Sequence, residues 1–316
     1  MVESTGHMES TLPALAQRKA RLITLLCFIA MVLIWGSFPV AVKLGVENAP
    51  PLLFSSVRFF IAFCIMAVIA VLQRKRLRIT RKQHLQTLLV SLCMVSIPSS
   101  IFFAAAPYAP VSVLTLMWAT APIFTSLFNM GGVGEIRGWR LFGSLAIGAC
   151  GILIVLLGRL PFWGGSWSSI GFASSGLALV GELGVLASSV IYGFGMLLAK
   201  RSNPAIPVTV LTAWQMFYSS LFITVMSLIF ERGYTFHPTW TTLGALLYLT
   251  VFCSCISFFL VFWLIRRIGA IRTGYSYFII PAITLVLSFL ILSESLTWAK
   301  VGGMALVLLG VVLVEM

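Results

Sequence analysis

Residues 121–157 read APIFTSLFNMGGVGEIRGWRLFGSLAIGACGILIVLL, and residues 280–316 read IPAITLVLSFLILSESLTWAKVGGMALVLLGVVLVEM. Aligned with a shift of 159 residues and no gap, the matched pairs are Pro122 with Pro281, Thr125 with Thr284, Glu135 with Glu294, Trp139 with Trp298, and Gly151 with Gly310. Each copy is an apolar helix opened by Pro, a short polar turn that holds the Glu, and a second apolar helix interrupted by Gly. Because the shift is about half of the 316 residues, the chain is expected to contain two copies of one unit.

The composition predicts a membrane protein. Hydrophobic residues make up 60% of the chain and charged residues only 9%, whereas a soluble domain is about 25% charged. Such a chain lacks the polar residues needed to cover a soluble surface. A large soluble core is therefore excluded as an explanation, and we expect a polytopic membrane protein.

A spanning helix needs about 20 apolar residues, and the sequence offers ten such stretches. They cover residues 22–45, 51–72, 85–106, 110–130, 139–157, 177–200, 206–230, 240–265, 272–292 and 298–315. We therefore predict an all-α membrane protein with ten transmembrane helices. Its predicted parts are a cytoplasmic tail (1–21), a first five-helix repeat (22–157), a linker (158–176) and a second five-helix repeat (177–316).

The distribution of Lys and Arg predicts the orientation. With the N-terminus inside, 16 of the 21 basic residues lie on the cytoplasmic side, as the positive-inside rule requires. Both termini are then cytoplasmic, in an inner or plasma membrane. The net charge of +13 is spread over short loops as a topology signal, which argues against a nucleic-acid partner. The basic run 74–82 is either a solvated loop or a contact with anionic membrane lipids.

Five helices per repeat is an odd number, so the second repeat is expected to be inverted relative to the first. The charges agree, because the loop around Tyr108 carries none while the equivalent region around Arg266 carries three. Inverted repeats are typical of secondary transporters, whose substrate site lies near the middle of the membrane between the two halves.

The first helices of the two halves also match, now with a shift of 157 residues. Trp35-Gly36 aligns with Tyr192-Gly193, and Lys43 aligns with Lys200. Together with Pro50-Pro51, Arg58-Phe59, the two Pro-opened helices and the paired Glu residues, these features resemble the drug/metabolite transporter superfamily and, within it, the EamA-type ten-helix carriers. The resemblance covers nearly the whole chain.

This resemblance implies export or exchange of small metabolites across the inner or plasma membrane. Alternating access is expected from rocking of one half against the other, and no cofactor is expected. The resemblance does not identify the substrate, since members carry amino acids, nucleotide precursors, sugars and drugs. One departure distinguishes the halves of this chain, because the second half has Gln215 where the first has Arg58. An amino acid-like compound, or another small polar or aromatic compound, is the expected cargo.

Three charged residues inside predicted spans are candidates for function, since a charge at the bilayer centre costs roughly 2.5–3.5 kcal/mol. Arg58 is expected to bind a carboxylate or phosphate, and Lys43 is a second candidate for substrate contact. For both, the alternative is snorkelling to the outer headgroups.

Glu182 is the only acid inside a predicted span apart from Glu315 at the chain end, so a coupling proton is expected to bind there. The alternative for Glu182 is an interfacial Glu paired with Lys43 or Arg58.

Aromatic and amide side chains are further candidates for substrate binding. Pairs equivalent by the repeat are expected to converge on a central cavity, and single residues of this kind are alternatively explained by helix packing. The candidates are Trp35, Trp118, Tyr192, Trp214, Gln215, Tyr275 and Tyr277.

Glycine, proline and glutamate residues of the repeat are assigned structural roles. We expect the glycines to allow close helix approach, and Pro122 and Pro281 to free carbonyls or act as hinges. Glu135 and Glu294 are assigned to the helix turns. The glycines concerned are Gly36, Gly143, Gly193, Gly195, Gly302 and Gly303.

Other function classes fit less well. The chain has no Asp, no His in a predicted span and no nucleotide-binding G-x-x-x-x-G-K-[ST] motif, so neither a membrane enzyme nor an ATP-driven pump is expected. Cys253 and Cys255 have no accompanying His or acid, so no metal site is expected.

A lipid scramblase or channel is the alternative to a carrier, and a homodimer is left open beside a monomer.

Overall fold

The computed structural model describes residues 14–128, 139–157, 172–200, 206–233, 236, 239–274 and 276–315. All regular structure in these ranges is helical. The helices are α1 (Ala14–Val46), α2 (Pro51–Leu72), α3 (Arg81–Ser91), α4 (Ile97–Ala105), α5 (Val111–Trp118), α6 (Ala121–Phe128), α7 (Trp139–Leu157), α8 (Phe172–Lys200), α9 (Val208–Phe230), α10 (Trp240–Tyr248), α11 (Ser257–Ile268), α12 (Ala270–Gly274), α13 (Ser276–Leu292) and α14 (Trp298–Glu315). Two π-helical segments, π1 (Leu92–Ser96) and π2 (Leu249–Ile256), join α3 to α4 and α10 to α11.

Among the described residues, seven helical stretches are long and apolar enough to cross a membrane. They are Arg18–Val46, Pro51–Leu72, Arg81–Ala105, Gly176–Lys200, Val208–Phe230, Trp240–Ile268 and Arg272–Leu292. The shorter apolar helices Val111–Thr125, Ala146–Val155 and Trp298–Gly310 fall within the other three predicted spans. An all-helical, multi-pass membrane protein is thus confirmed, while the number ten stays a prediction.

The outward surface of the helices suits lipid. Leu72, Leu228 and Leu290 are 76%, 67% and 67% exposed, and many other large apolar side chains also point outward. Hydrocarbon offers no hydrogen bonds, so the spanning backbone satisfies its own polar groups within helices.

Local sequence explains where the helices begin. α2 begins at Pro51, where a missing N–H costs nothing because the first turn has no helical acceptor. α3 begins after Thr80, whose hydroxyl accepts the Gln83 N–H at 3.3 Å while the Gln83 side chain accepts the Thr80 N–H at 2.8 Å. The helix therefore begins four residues before the apolar stretch that was predicted to start at residue 85. α8 likewise begins before its predicted start, at Phe172.

The two π-helical segments occupy equivalent positions, because Leu92 and Leu249 are 157 residues apart. In each, a serine hydroxyl donates to the carbonyl five residues earlier: Ser96 to Ser91 at 3.1 Å, and Ser254 to Leu249 at 3.0 Å. A wider turn of this kind redirects the side chains that follow it, and such turns are frequent at functional sites.

Hydroxyl groups link neighbouring helices inside the bundle. Ser56 of α2 lies 2.6 Å from Thr224 of α9, and Thr120 lies 2.8 Å from Ser189 of α8. In a membrane, such bonds contribute to helix association because lipid offers the hydroxyls no alternative partner.

Glu231, directly after α9, caps the beginning of α2. Its carboxylate accepts the backbone N–H groups of Leu52 and Leu53 at 2.6 and 2.8 Å. The first N–H groups of a helix have no helical acceptor, and the positive end of the helix dipole favours a carboxylate there.

Glu294 acts in the same way on α5. It accepts the Val111 N–H at 2.8 Å and a hydrogen bond from the Ser112 hydroxyl, and it pairs with Lys300 at 3.5 Å. Its assignment to helix-turn structure agrees with these contacts, although Glu135, its counterpart, lies outside the described residues.

Lys43 completes this set of links. Its Nζ donates to the carbonyls of Ala106 and Pro107, at 2.6 and 3.1 Å, just beyond α4. We call the end of the bundle that holds Lys43, Glu231 and Glu294 the tied end. It is the end that the charge distribution predicts to be external.

Two glycines make a close backbone contact between the two halves. A methyl group placed on Gly303 would lie 2.6 Å from the Gly151 carbonyl oxygen, and one on Gly151 would lie 2.6 Å from the Gly303 carbonyl. α7 and α14 therefore pack backbone against backbone. Gly36, Gly193 and Gly195 are similarly close to neighbouring helices, but the expectation for Gly302 was wrong, since nothing lies within 4 Å of its added methyl group.

This difference between adjacent glycines gives a stability test. We expect Gly303→Ala to destabilise the protein by about 1–3 kcal/mol, because the added methyl group meets the Gly151 backbone, which can shift only at a cost in free energy. Gly302→Ala is the matched control and should stabilise the protein by up to about 1 kcal/mol through helix propensity. Thermal unfolding of both variants in one detergent measures the effect, and equal midpoints for the two would contradict the backbone contact.

Candidate functional site

A cavity lies among helices from both halves of the chain. Its volume of about 30 Å³ is enough for about two water molecules. The lining residues are Trp35, Phe38, Pro39, Arg58, Ser99, Thr115, Trp118, Tyr192, Cys253, Phe258 and Ile280. A cavity of this volume cannot hold an organic molecule without widening.

Arg58 brings the only charge to this lining, as far as the described residues show. It is 1% exposed and lies two turns into α2. Its Nε and Nη1 atoms have no hydrogen-bond partner among the described residues. Its guanidinium instead lies 5.2, 4.3 and 4.7 Å from the ring centroids of Phe38, Phe59 and Phe103. The three rings stabilise the cation but provide no anion for it.

Aromatic pairs join the two halves across the cavity. Trp35 of α1 and Phe258 of α11 form an edge-to-face pair with centroids 5.7 Å apart. Trp118 of α5 and Tyr192 of α8 form a second pair at 5.9 Å. Trp118 also packs against both of the large buried apolar clusters of the protein, so it lies where they meet.

Helix α1 borders the cavity and continues through Pro39, but one of its backbone hydrogen bonds is missing there. Proline has no N–H, so the hydrogen bond to the Trp35 carbonyl that a regular helix would form is missing. One residue earlier, the Ile34 carbonyl accepts from the Ser37 hydroxyl at 2.9 Å and lies 3.8 Å from the Cys253 thiol. Side chains thus stabilise the backbone of α1 where it borders the cavity.

Four of the predicted site residues meet in this cavity, namely Trp35, Arg58, Trp118 and Tyr192. Others lie elsewhere. Lys43 is at the tied end, held by backbone carbonyls. Trp214 packs at the opposite end, where its Nε1 donates to the Leu77 carbonyl at 2.9 Å and its ring stacks on Tyr218.

Gln215 and Glu182 are buried but are not among the lining residues. Both polar atoms of the Gln215 amide lack a hydrogen-bond partner among the described residues. Glu182 precedes Tyr192 by ten residues on α8, which corresponds to about 15 Å along the helix. Tyr275 lies outside the described residues, as does the side chain of Tyr277, whose backbone belongs to α13.

Phe38, Ser99, Thr115, Cys253 and Phe258 line the cavity but were not predicted. Phe38 could have been found, because it follows Trp35 by nearly one helical turn. Ser99, Cys253 and Phe258 lie in or just after the π-helical segments, whose altered register cannot be read from an apolar run.

No metal site is apparent in the part of the chain that the structure describes, where no three His, Cys, Asp or Glu residues cluster. What the lining offers chemically is one buried cation surrounded by aromatic rings and hydroxyl groups. Such a site suits binding of a small organic molecule.

Comparison with known proteins agrees with this fold. The chain is similar to YoaV of Bacillus subtilis, named an uncharacterized transporter, with 27% identity over 91% of this chain and 94% of the relative. It is 26% identical to YedA of Escherichia coli, named an uncharacterized inner membrane transporter, over 91% of this chain and 89% of the relative. A solved crystal structure with 20% identity has the same fold, with a TM-score of 0.66 over 92% of this chain and 95% of that chain.

The EamA-like transporter family matches the chain twice, over residues 22–157 and 179–316. The two matches cover the two halves that the internal repeat defines. The resemblance noted from the sequence is thereby confirmed, and the chain belongs to the EamA-like transporter family.

Proposed function

We propose that this membrane transporter is a secondary carrier, which exports or exchanges a small metabolite across the inner or plasma membrane by alternating access. The observation that carries the proposal is Arg58, a buried cation with no anion beside it among the described residues, in a cavity between the two halves. Family membership supports transport in general, and Arg58 supports a binding site at this cavity.

The energetics of Arg58 support a role in binding. A charge at the bilayer centre costs roughly 2.5–3.5 kcal/mol, and Arg58 forms no ion pair among the described residues. Cation–π contacts contribute about 0.5–2 kcal/mol each, so they can hold the charge in place. An anionic group that enters the cavity would add charge-assisted hydrogen bonds, which are about twice as strong as neutral ones.

The helix contacts support the inverted-repeat arrangement. α1 packs against α13, and their counterparts in the repeat, α8 and α6, also pack together. α2 packs on its own counterpart α9, and α7 packs on α14. These reciprocal contacts are expected of ten spans in two inverted five-helix units. The proposed cytoplasmic placement of both termini rests on the distribution of Lys and Arg.

Alternating access requires the two halves to move, and the cavity contacts suit such movement. Each aromatic pair has one ring in each half, so separation of the halves would open the cavity. The contacts of Lys43, Glu231 and Glu294 close the tied end. We infer that the structure represents a carrier closed on its external side, which must widen before a metabolite can bind.

Metabolite profiling tests export directly. Cells that overexpress the intact protein should accumulate one class of compound in the medium. Arg58→Ala should reduce this efflux by at least about tenfold, since a hydrogen bond to a charged group contributes about 1.5–3 kcal/mol. Arg232→Ala, which removes an exposed cation beyond α9, is the control and should leave efflux unchanged.

An unchanged profile under several carbon and nitrogen sources would count against export. Reconstitution in liposomes separates the remaining classes. Saturable uptake that accelerates when unlabelled substrate is loaded inside indicates a carrier, whereas a channel or scramblase shows no such counterflow.

A second prediction concerns coupling. If protons drive transport, Glu182→Gln should abolish accumulation under an imposed pH gradient, because the amide cannot bind the coupling proton. Substrate exchange without a gradient should persist. Glu47→Gln, at an exposed acid beyond α1, is the control, and full gradient-driven accumulation by Glu182→Gln would disprove the role.

A further inference from the structure

We propose that the substrate is a monoanionic organic acid, with a carboxylate on an aromatic or bulky apolar body and no ammonium group. This inference rests on the proposed transport function, and it narrows the cargo beyond an amino acid-like compound. The carrying observation is the balance of charge in the cavity lining, which has one cation and, among the described residues, no acid.

The cation selects the charge of the ligand. Arg58 alone can neutralise one negative charge, so a carboxylate matches it while a phosphate dianion would leave an excess charge in an apolar site. The Thr115 hydroxyl already donates to the Val111 carbonyl at 2.7 Å, and the Cys253 thiol points its donor toward the Ile34 carbonyl. The guanidinium therefore supplies the positively charged donors of the described lining, beside the neutral hydroxyls of Ser99 and Tyr192.

An ammonium group would find no carboxylate among the described lining residues. Glu231 and Glu294, the acids of the tied end, are outside the lining and already accept backbone N–H groups. Glu182 is also absent from the lining. The rings of Phe38 and Phe103 already face Arg58, whose charge would repel a second cation.

The remainder of the lining selects the body of the ligand. Trp35, Trp118, Tyr192, Phe258 and Ile280 present apolar and aromatic surface from both halves. An aromatic ring can pack between such side chains edge to face or offset. A sugar would leave many hydroxyls without partners here.

A series of compounds with one body and different charges tests the proposal. The probes are 3-phenylpropanoate, phenylalanine, phenethylamine and 3-phenylpropan-1-ol, each a phenyl ring on a short chain. Binding to the purified full-length protein is measured in detergent by tryptophan fluorescence, since Trp35 and Trp118 line the cavity, and by ligand-dependent thermal shift. We expect 3-phenylpropanoate to bind tightest, with phenylalanine and the alcohol weaker by about tenfold or more and no saturable binding of phenethylamine.

Variants of Arg58 give the matched controls. Arg58→Gln introduces the residue found at the equivalent position 215 and should remove the preference for the acid over the alcohol. Arg58→Lys should retain part of it, because lysine supplies the charge without the planar fork. The series on the unmodified protein tests the proposal even if Arg58→Gln fails to fold.

The proposal is overturned if phenylalanine, phenethylamine or the alcohol binds as tightly as 3-phenylpropanoate, or if none of the four binds. Flux in proteoliposomes distinguishes this failure from failure of the proposed function. Selective binding of the acid without saturable flux would overturn transport and leave the ligand class standing. Saturable flux of another class of compound would support transport and overturn the proposed ligand class.

Discussion

The bilayer leaves few ways to satisfy a polar group, and the arrangement of this protein follows from that constraint. Backbone groups are paired within helices, and exposed helix ends receive side chains from elsewhere in the chain. Glu231 and Glu294 bind the first N–H groups of α2 and α5. Lys43 binds the last carbonyls beyond α4. Against this background, two nitrogens of the Arg58 guanidinium lack a hydrogen-bond acceptor in the described chain, which supports the proposal that a ligand binds there.

Much of the fold could be predicted from sequence, because long apolar runs and the repeat are strong signals. The apolar runs predicted the spans, the repeat shift paired Trp35 with Tyr192, the charge of Arg58 inside a span marked it as a candidate, and the resemblance of the motifs indicated the family. The π-helical segments could not be predicted, since their register depends on packing between helices rather than on composition. For the same reason, the sequence did not separate Gly302 from Gly303, although only the latter faces α7.

Lys43 and Trp214 illustrate a second limit. Both are chemically suited to a binding site, and residue type alone does not reveal whether a partner is already supplied within the protein. Lys43 is occupied by two carbonyls and Trp214 by the Leu77 carbonyl. Such bonds join residues that are 63 to 137 positions apart in the chain, so they depend on the tertiary structure. Arg58 differs because its Nε and Nη1 atoms have no such bond within the described residues.

The contact between Gly151 and Gly303 has a mechanical consequence. Where two backbones touch directly, no flexible side chain lies between them to absorb a displacement, so α7 and α14 resist sliding at that point. One of these helices belongs to each half of the chain. The two halves are therefore in direct backbone contact at these glycines. If one half rotates relative to the other, we expect the smallest displacement of backbone atoms at this contact and larger displacements at helices farther from it.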